Sequence, residues 1–446
     1  MNATERLEWF RKARFGLFVH FGPYAEYGHG EQVLFREHMD PRAYEERACR
    51  WNPVLYDPAV WADEAKRAGM RYAVLTTRHH DGYCLWDSKY TDYTSARQAP
   101  KRDLVREYVE ACRTAGLRVG LYYSLLDWRV PAYFDGPQKD PAGWSVMRRY
   151  IHDQVEELLT NYGKIDVLWF DGLWPRNADD LGSAELVAKM RQLQPHLLVN
   201  NRLGHAEKKA SADGGAGAGE SAEFGDFGTP EQYIVPDPNR AWEACMVSGW
   251  RLWGHTRGER WRPADLMLDM LCEVAERGGN LILNVGPQPD GQFPPEFVQR
   301  VRDIGEWLDV HGEAVFDTDG GDVTEFVTCG RQTTKGNSLY LIFRFWDGEP
   351  SFRLADLVTP VRRATLLTTG QELRVEQRKE EVVLHGLPRE QPTRMFPVIK
   401  LECAGKPQSN QWGRERLWCG DPSRVAVWAS ARGQSVWTDG MPRSAM

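Results

Sequence analysis

At 446 residues the chain is too long for one ordinary domain and fits a barrel of roughly 250 residues or more followed by a smaller module. Apolar residues make up 42% and charged residues 27%, which supplies a core and excludes a disordered chain. A net charge of -7 with no long Lys/Arg run excludes nucleic acid and anionic lipid as partners, and no run of about 18 apolar residues is available to span a membrane.

The N-terminal MNATERLEWF has no apolar leader-like core, so a cytoplasmic location is expected. The eight cysteines form no CxxC pair, which fits reduced thiols. Along residues 15–310 short apolar runs alternate with amphipathic helical patterns, the signature of parallel strands joined by crossover helices. The first run, 15–21, is a strand. Asp57-Pro58 reads as an N-cap followed by proline at the first helical position, and Gly69 as the stop of that helix. The strand 72–77 follows, then a helix over 103–115 stopped by Gly116 and a strand over 118–124. Further units are helix 144–159 into strand 165–170, helix 184–193 into strand 197–200, and helix 264–277 into strand 280–285, with helix 295–310 closing the series. That makes fewer than eight clear strands, but no GxGxxG or GxxxxGK[ST] turn follows any of them, so a (β/α)8-like barrel is favoured over an open nucleotide-binding sheet. The stretch 204–223 reads as a mobile loop. Beyond it lie alternating strands over 338–345, 361–367, 382–385 and 393–401, a small antiparallel β-domain of sandwich type. The expected division is 1–315 for the barrel, 316–403 for the β-sandwich and 404–446 for an irregular tail.

In parallel barrels catalytic groups sit where strands end, at the carboxyl face. The first strand is followed by His20, the second by Arg78-His79-His80-Asp81-Gly82, and the third carries Tyr122 and Tyr123 and leads to Asp127 and Trp128. The fourth ends in Asp171-Gly172 and the fifth in Asn201-Arg202. Taken singly, a histidine is more often a bonded core group and Asp-Gly more often a turn. Five strand ends that all supply His, Tyr, Asp or Arg are not what a purely structural barrel needs. Such donors suit a substrate covered in hydroxyls, and the 18 tryptophans suit apolar sugar faces as well as cores. Glycoside cleavage needs two carboxyls. Asp171 is the first; Asp226 and Glu231 in 225–232, and Glu243, are candidates for the second.

These residues resemble glycoside hydrolase family 29, the α-L-fucosidases, over roughly residues 7–315. Residues 15–22, FGLFVHFG, are similar to the family's FGxFxHWG strand, 73–83 to its LTxKHHDGF segment, and 122–124 to its Y-[HY]-S. Trp169-Phe170-Asp171-Gly172 resembles the nucleophile motif, Asn200-Asn201-Arg202 the motif of a nearby arginine, and 278–287 the GGNLLLNxGP segment. The resemblance implies a (β/α)8-like barrel with a C-terminal β-sandwich, and retaining, exo-acting hydrolysis of terminal α-L-fucose from a fucosylated oligosaccharide or glycoconjugate, with no metal and no cofactor. It implies that His20, Glu31, His79, His80 and Tyr122 hold the sugar, that Asp171 attacks the anomeric carbon beside Arg202, and that Glu231 is the acid and base. Gln32 stands where the family has a tryptophan after that glutamate, and His255 where it has a tyrosine, which leaves the contacts at those two places open. A metal-dependent hydrolase using His20, His79, His80 and Asp171, and a non-catalytic sugar-binding protein, are the competing classes. A homo-oligomer stays open.

Overall fold

A computed structural model describes residues 2–204 and 224–409, apart from 238, 322, 325, 327, 328 and 380. Most of the stretch expected to be a mobile loop, and residues 410–446 of the expected tail, lie outside the described residues. The chain divides into two compact units, Met1–Asp317 and Thr318–Met446.

The first unit is built on eight parallel strands: β1 (Phe15–Val19), β2 (Tyr72–Arg78), β3 (Arg118–Ser124), β4 (Val167–Asp171), β5 (Leu198–Val199), β6 (Phe227–Gly228), β7 (Ala241–Val247) and β8 (Asn280–Val285). Their order is β5-β4-β3-β2-β1-β8-β7-β6. A parallel bridge between Asn200 and Phe227, with the Asp226 N–H donating to Val199 O at 2.7 Å, joins the two edge strands and brings the sheet round into a nearly closed barrel. The helices between strands start where local chemistry says they should. Asp57 and Asp103 cap Pro58–Arg67 and Leu104–Thr114 by accepting backbone N–H groups of the first turn.

Two strands escape the apolar pattern. β6 is two residues long, and β7 carries Glu243 in the middle of an otherwise apolar run. That carboxylate is 1% exposed and points into the barrel, where it accepts from the Tyr72 hydroxyl and from Trp169 Nε1 at 3.2 Å. Burial pushes its pKa up to about 7, against the lowering effect of the Tyr72 and Trp169 bonds. Around it Phe18, Val74, Tyr122, Phe227 and Ile282 fill the barrel, so the interior is packed side chains and not a channel.

An N-terminal helix, Ala3–Ala13, was not expected, although Asn2 and Glu5 form a capping box. Its Phe10 packs 4.6 Å from the Phe227 ring and, with Leu7 and Ala13, joins the barrel core. Asp226, at the start of β6, is tied there by Arg6 at 2.8 Å and Arg191 at 2.5 Å. It therefore serves the closure of the barrel at the end away from the strand termini that carry the polar groups.

The second unit is a seven-stranded antiparallel sheet curled into a half-barrel around its own core, with strands β9 (Gly330–Lys335), β10 (Ser338–Phe343), β11 (Ser351–Leu354), β12 (Val361–Leu366), β13 (Gln371–Arg378), β14 (Glu381–His385) and β15 (Val398–Cys403). Leu339, Leu341, Leu373, Leu384, Ile399 and Leu401 form that core. The first six residues of the expected tail are tied to this sheet: the Ala404 N–H donates to Pro360 O at 2.8 Å, and Ser409 bridges Leu357. No described helix is long and apolar enough to cross a membrane, and the seven described cysteines are free thiols.

Candidate active site

The strand ends of the first unit converge on a cavity of about 70 Å³, room for about five waters and so on the scale of one sugar ring. His20, His79, His80, Tyr122, Asp171, Arg202 and Glu231 all line it. Two larger cavities, of about 390 and 430 Å³, lie elsewhere. The first is bordered by Trp9, Arg118 and Asp166 near strand beginnings, where barrel residues serve stability; the second, by Tyr90, Met147 and Tyr150, lies outside the barrel mouth. Size does not select the site here; the gathering of polar groups does.

Asp171 ends β4 with its side chain 14% exposed. Its Oδ1 accepts from Arg202 Nη1 at 3.0 Å and its Oδ2 from the Tyr122 hydroxyl at 3.0 Å. The second nitrogen of the same guanidinium, Nη2, reaches Glu231 Oε2 at 2.8 Å, so one cation holds both carboxylates. Arg202 is itself fixed by its Nε bond to the Thr229 hydroxyl at 3.1 Å and lies over the Trp169 ring at 4.8 Å. The residue after Asp171 has to be small: Gly172 has φ +76°, and a Cβ there would meet Leu126 Cβ at 2.9 Å and His80 Cε1 at 3.0 Å.

Glu231 follows a Gly-Thr-Pro run that by itself favours an exposed turn. It instead extends β6, bridging Cys245 of β7, with the Cys245 N–H donating to Pro230 O and the Gln232 N–H to Cys245 O, both at 3.0 Å. Pairing with β7 overrides the turn tendency of the Gly-Thr-Pro run. Its side chain is 35% exposed, against 14% for Asp171, so it stands nearer the mouth. Glu243 is not in the cavity wall; it is beneath it, behind Trp169.

The three histidines are neutral rings. Burial pulls His20, His79 and His80 below the ordinary imidazole range, His80 to about 3, and each is lowered further by a neighbouring imidazole. The 3.6 Å approach of His80 Nε2 to Asp171 Oδ2 is consequently no ion pair and is too long for a hydrogen bond. Burial, and then the Asp171 charge, raise the Tyr122 hydroxyl far above its usual range, so it stays a donor. The loop bearing His79 and His80 is held from behind by a fully buried Arg78–Asp127 pair at 2.7 Å, which Arg129 joins at 2.9 Å. Burial would raise Asp127, but Arg129 and Arg78 outweigh it and bring the carboxyl down to about 2.

Glu31 stands apart from the other expected sugar ligands. It is 2% exposed, outside the cavity wall, and its Oε2 accepts the N–H groups of Trp253 and Gly254 at 2.9 and 2.8 Å. The structure thus places it as the anchor of the loop that carries Trp253. Gln32 does line the cavity, its side-chain carbonyl held by Arg36 Nε at 2.9 Å, whereas His255 lies outside it. Three tryptophans of the wall were not among the expected sugar ligands: Trp169, stacked on Tyr122 at 5.5 Å; Trp253, 5.2 Å from His20; and the exposed Trp174, edge-on to His80 at 5.6 Å. The high tryptophan count was a signal without an address. Among the described residues no three His, Cys, Asp or Glu side chains are grouped as a metal ion would require.

The family model described as alpha-L-fucosidase matches residues 1–313. The chain belongs to the α-L-fucosidase family. It is, with that family, a glycoside hydrolase. The structure of α-L-fucosidase isoenzyme 1 from Paenibacillus thiaminolyticus is similar to it with a TM-score of 0.80 and 35% identity, covering 90% of this chain and 100% of that one. A trapped covalent intermediate of the Bacteroides thetaiotaomicron α-L-fucosidase, in complex with 2-fluoro-fucosyl fluoride, is similar with a TM-score of 0.79 at 29% identity, over 90% of this chain and 96% of that one. Tissue α-L-fucosidase of Bos taurus is 29% identical over 388 residues, 81% of this chain and 79% of the bovine one.

Proposed function

We propose that this α-L-fucosidase is exo-acting and retaining, releasing terminal α-L-fucose from fucosylated oligosaccharides or glycoconjugates by double displacement, with Asp171 as nucleophile and Glu231 as acid and base. The observation that carries the reading is the single Arg202 guanidinium bonded to both carboxylates at the edge of a cavity the size of one sugar. Double displacement needs two carboxyls flanking the same glycosidic bond. Asp171, the more enclosed, is oriented by two donors, Tyr122 and Arg202, which leaves little rotamer freedom and presents an oxygen to the anomeric carbon. Glu231, nearer the mouth, gives its proton to the departing oxygen as Asp171 forms the ester. It then takes a proton from the water that opens the ester. The trapped covalent intermediate of the Bacteroides protein supports the same course here. A small cavity, enclosed around Asp171, accepts a terminal residue and not the middle of a chain, which is the physical content of exo action.

A panel of aryl glycosides tests this. The expected result is turnover of the α-L-fucoside at least about 10²-fold above the aryl α-D-galactoside and β-D-glucoside, because each misplaced hydroxyl leaves a buried donor or acceptor unpaired. Fucose binding without turnover would make the chain a sugar-binding protein, and loss of activity to chelators would revive the metal reading.

A further inference from the structure

Two of the cavity histidines are backed by side chains whose own bonding allows one arrangement of protons. The Ser124 hydroxyl bonds to Leu126 O at 2.7 Å, and a carbonyl can only accept, so the single serine hydrogen is spent there. The His80 Nδ1 lies 2.7 Å from the Ser124 Oγ and must therefore be the donor. Asn284 repeats the logic with an amide. Its Nδ2 donates to Trp253 O at 2.7 Å, which turns its Oδ1 toward His20 Nδ1 at 2.6 Å, and an amide oxygen can only accept. Both rings carry their hydrogen on Nδ1. With the rings neutral, Nε2 of each has a lone pair and no hydrogen. His79 has no such relay: its buried Nδ1 finds no hydrogen-bond partner among the described residues.

We propose that Ser124 and Asn284 are positioning residues that lock His80 and His20 as hydrogen-bond acceptors, so that two ring hydroxyls of the bound sugar must donate to them. This rests on the functional reading above for the identity of the sugar, but the tautomers do not. The consequence for specificity is asymmetric. A histidine free to choose its tautomer tolerates either a donor or an acceptor; one locked as an acceptor rejects any substituent that cannot donate. Burial, and the neighbouring His20, Arg78 and Arg202, keep the His80 ring neutral beside Asp171 Oδ2, 3.6 Å from His80 Nε2, so the Nε2 lone pair stays available.

The full-length protein labelled with ¹⁵N-histidine gives the direct reading. Long-range ¹H–¹⁵N correlation should show His20 and His80 as neutral Nδ1–H tautomers from pH 5 to 8, whether or not the enzyme turns over a fucoside. An Nε2–H tautomer, or a charged ring, at either residue would overturn the proposal. Ser124→Ala should release the His80 tautomer and raise KM for an aryl α-L-fucoside about tenfold with a smaller change in kcat, and Ser124→Thr should restore both readings. An unchanged His80 spectrum in Ser124→Ala would also overturn it. In competition binding, L-fucose analogues with hydrogen or fluorine replacing one hydroxyl at C2, C3 or C4 separate donor from acceptor use. At two of the three positions fluorine should weaken binding as much as hydrogen does, about 10- to 100-fold, since fluorine cannot donate. Fluorine that restores binding at two or more positions would contradict the lock. Failure of the aryl fucoside assay with the tautomers as assigned would sink the functional reading alone.

Discussion

Asp171→Ala is expected to reduce turnover of an aryl α-L-fucoside by on the order of 10⁴-fold or more, and azide is expected to restore part of it as a β-L-fucosyl azide. The variant removes the carboxylate proposed to attack but leaves Arg202 and Tyr122, the two donors that hold it, facing an empty space. A small anion fits that space and meets the same donors, and its attack from that side inverts the anomeric centre once. The product is decisive because a merely structural aspartate has no reason to be replaced by azide at the sugar. Substantial residual hydrolysis without azide, and no azide adduct, would remove Asp171 from the reaction.

The second large effect concerns the other carboxyl. Glu231→Ala should slow a natural fucosylated oligosaccharide by roughly 10²- to 10⁴-fold, because a sugar alkoxide is a poor leaving group that needs a proton, while an activated aryl fucoside loses far less in its first step. Glu243 is the control, since it is a buried carboxyl of the same barrel without access to the leaving group. Glu243→Ala should lower stability and depress both substrates alike. Its isosteric variant Glu243→Gln should report the buried charge through pH. The carboxyl binds its proton more tightly folded, with a pKa of about 7, than unfolded, at 4.5. Its contribution is therefore fully present below about pH 4.5 and is lost as pH rises to about 7, a change of about 3 kcal/mol that the amide cannot undergo. Denaturant titrations of wild type and Glu243→Gln across that window should diverge accordingly. Leaving-group dependence in Glu243→Ala and not in Glu231→Ala would exchange the two roles.

What could be read from the amino acids follows the range of the forces involved. The helix starts at Asp57 and Asp103 are decided within one turn, by a side chain accepting the N–H groups beside it, and so are legible locally. Strands such as β2 and β8, buried on both faces, announce themselves as apolar runs. β7 does not, because Glu243 is tolerated in it only through Tyr72 and Trp169, which are 171 and 74 residues away in sequence. β6 is visible only once β5 and β7 flank it. β9 has no apolar side chain, its Gln332, Thr333 and Thr334 being buried polar groups, and β13 carries only Leu373 and Val375.

The candidate site shows the same division. His20, His79, His80, Tyr122, Asp171 and Arg202 stand at strand ends, so a barrel reading alone points them at one mouth. The placement of Glu31 depends on where the chain after β7 passes, and it anchors backbone at Trp253 and Gly254 instead of lining the cavity. Trp174 and Trp253 lie in loops without periodicity, and nothing local distinguishes them from the other tryptophans. The bond from one guanidinium to two carboxylates is a tertiary fact, which sequence spacing could suggest but not establish.

Double displacement would break the glycosidic bond through an ester on Asp171, with two inversions at the anomeric carbon. The most direct measurement is the configuration of the fucose first released, followed by ¹H NMR during the early minutes of hydrolysis of an aryl α-L-fucoside, before mutarotation mixes the anomers. With double displacement α-L-fucose appears first and β-L-fucose only later, at the spontaneous rate. Initial release of β-L-fucose would mean a single displacement by water and would contradict it.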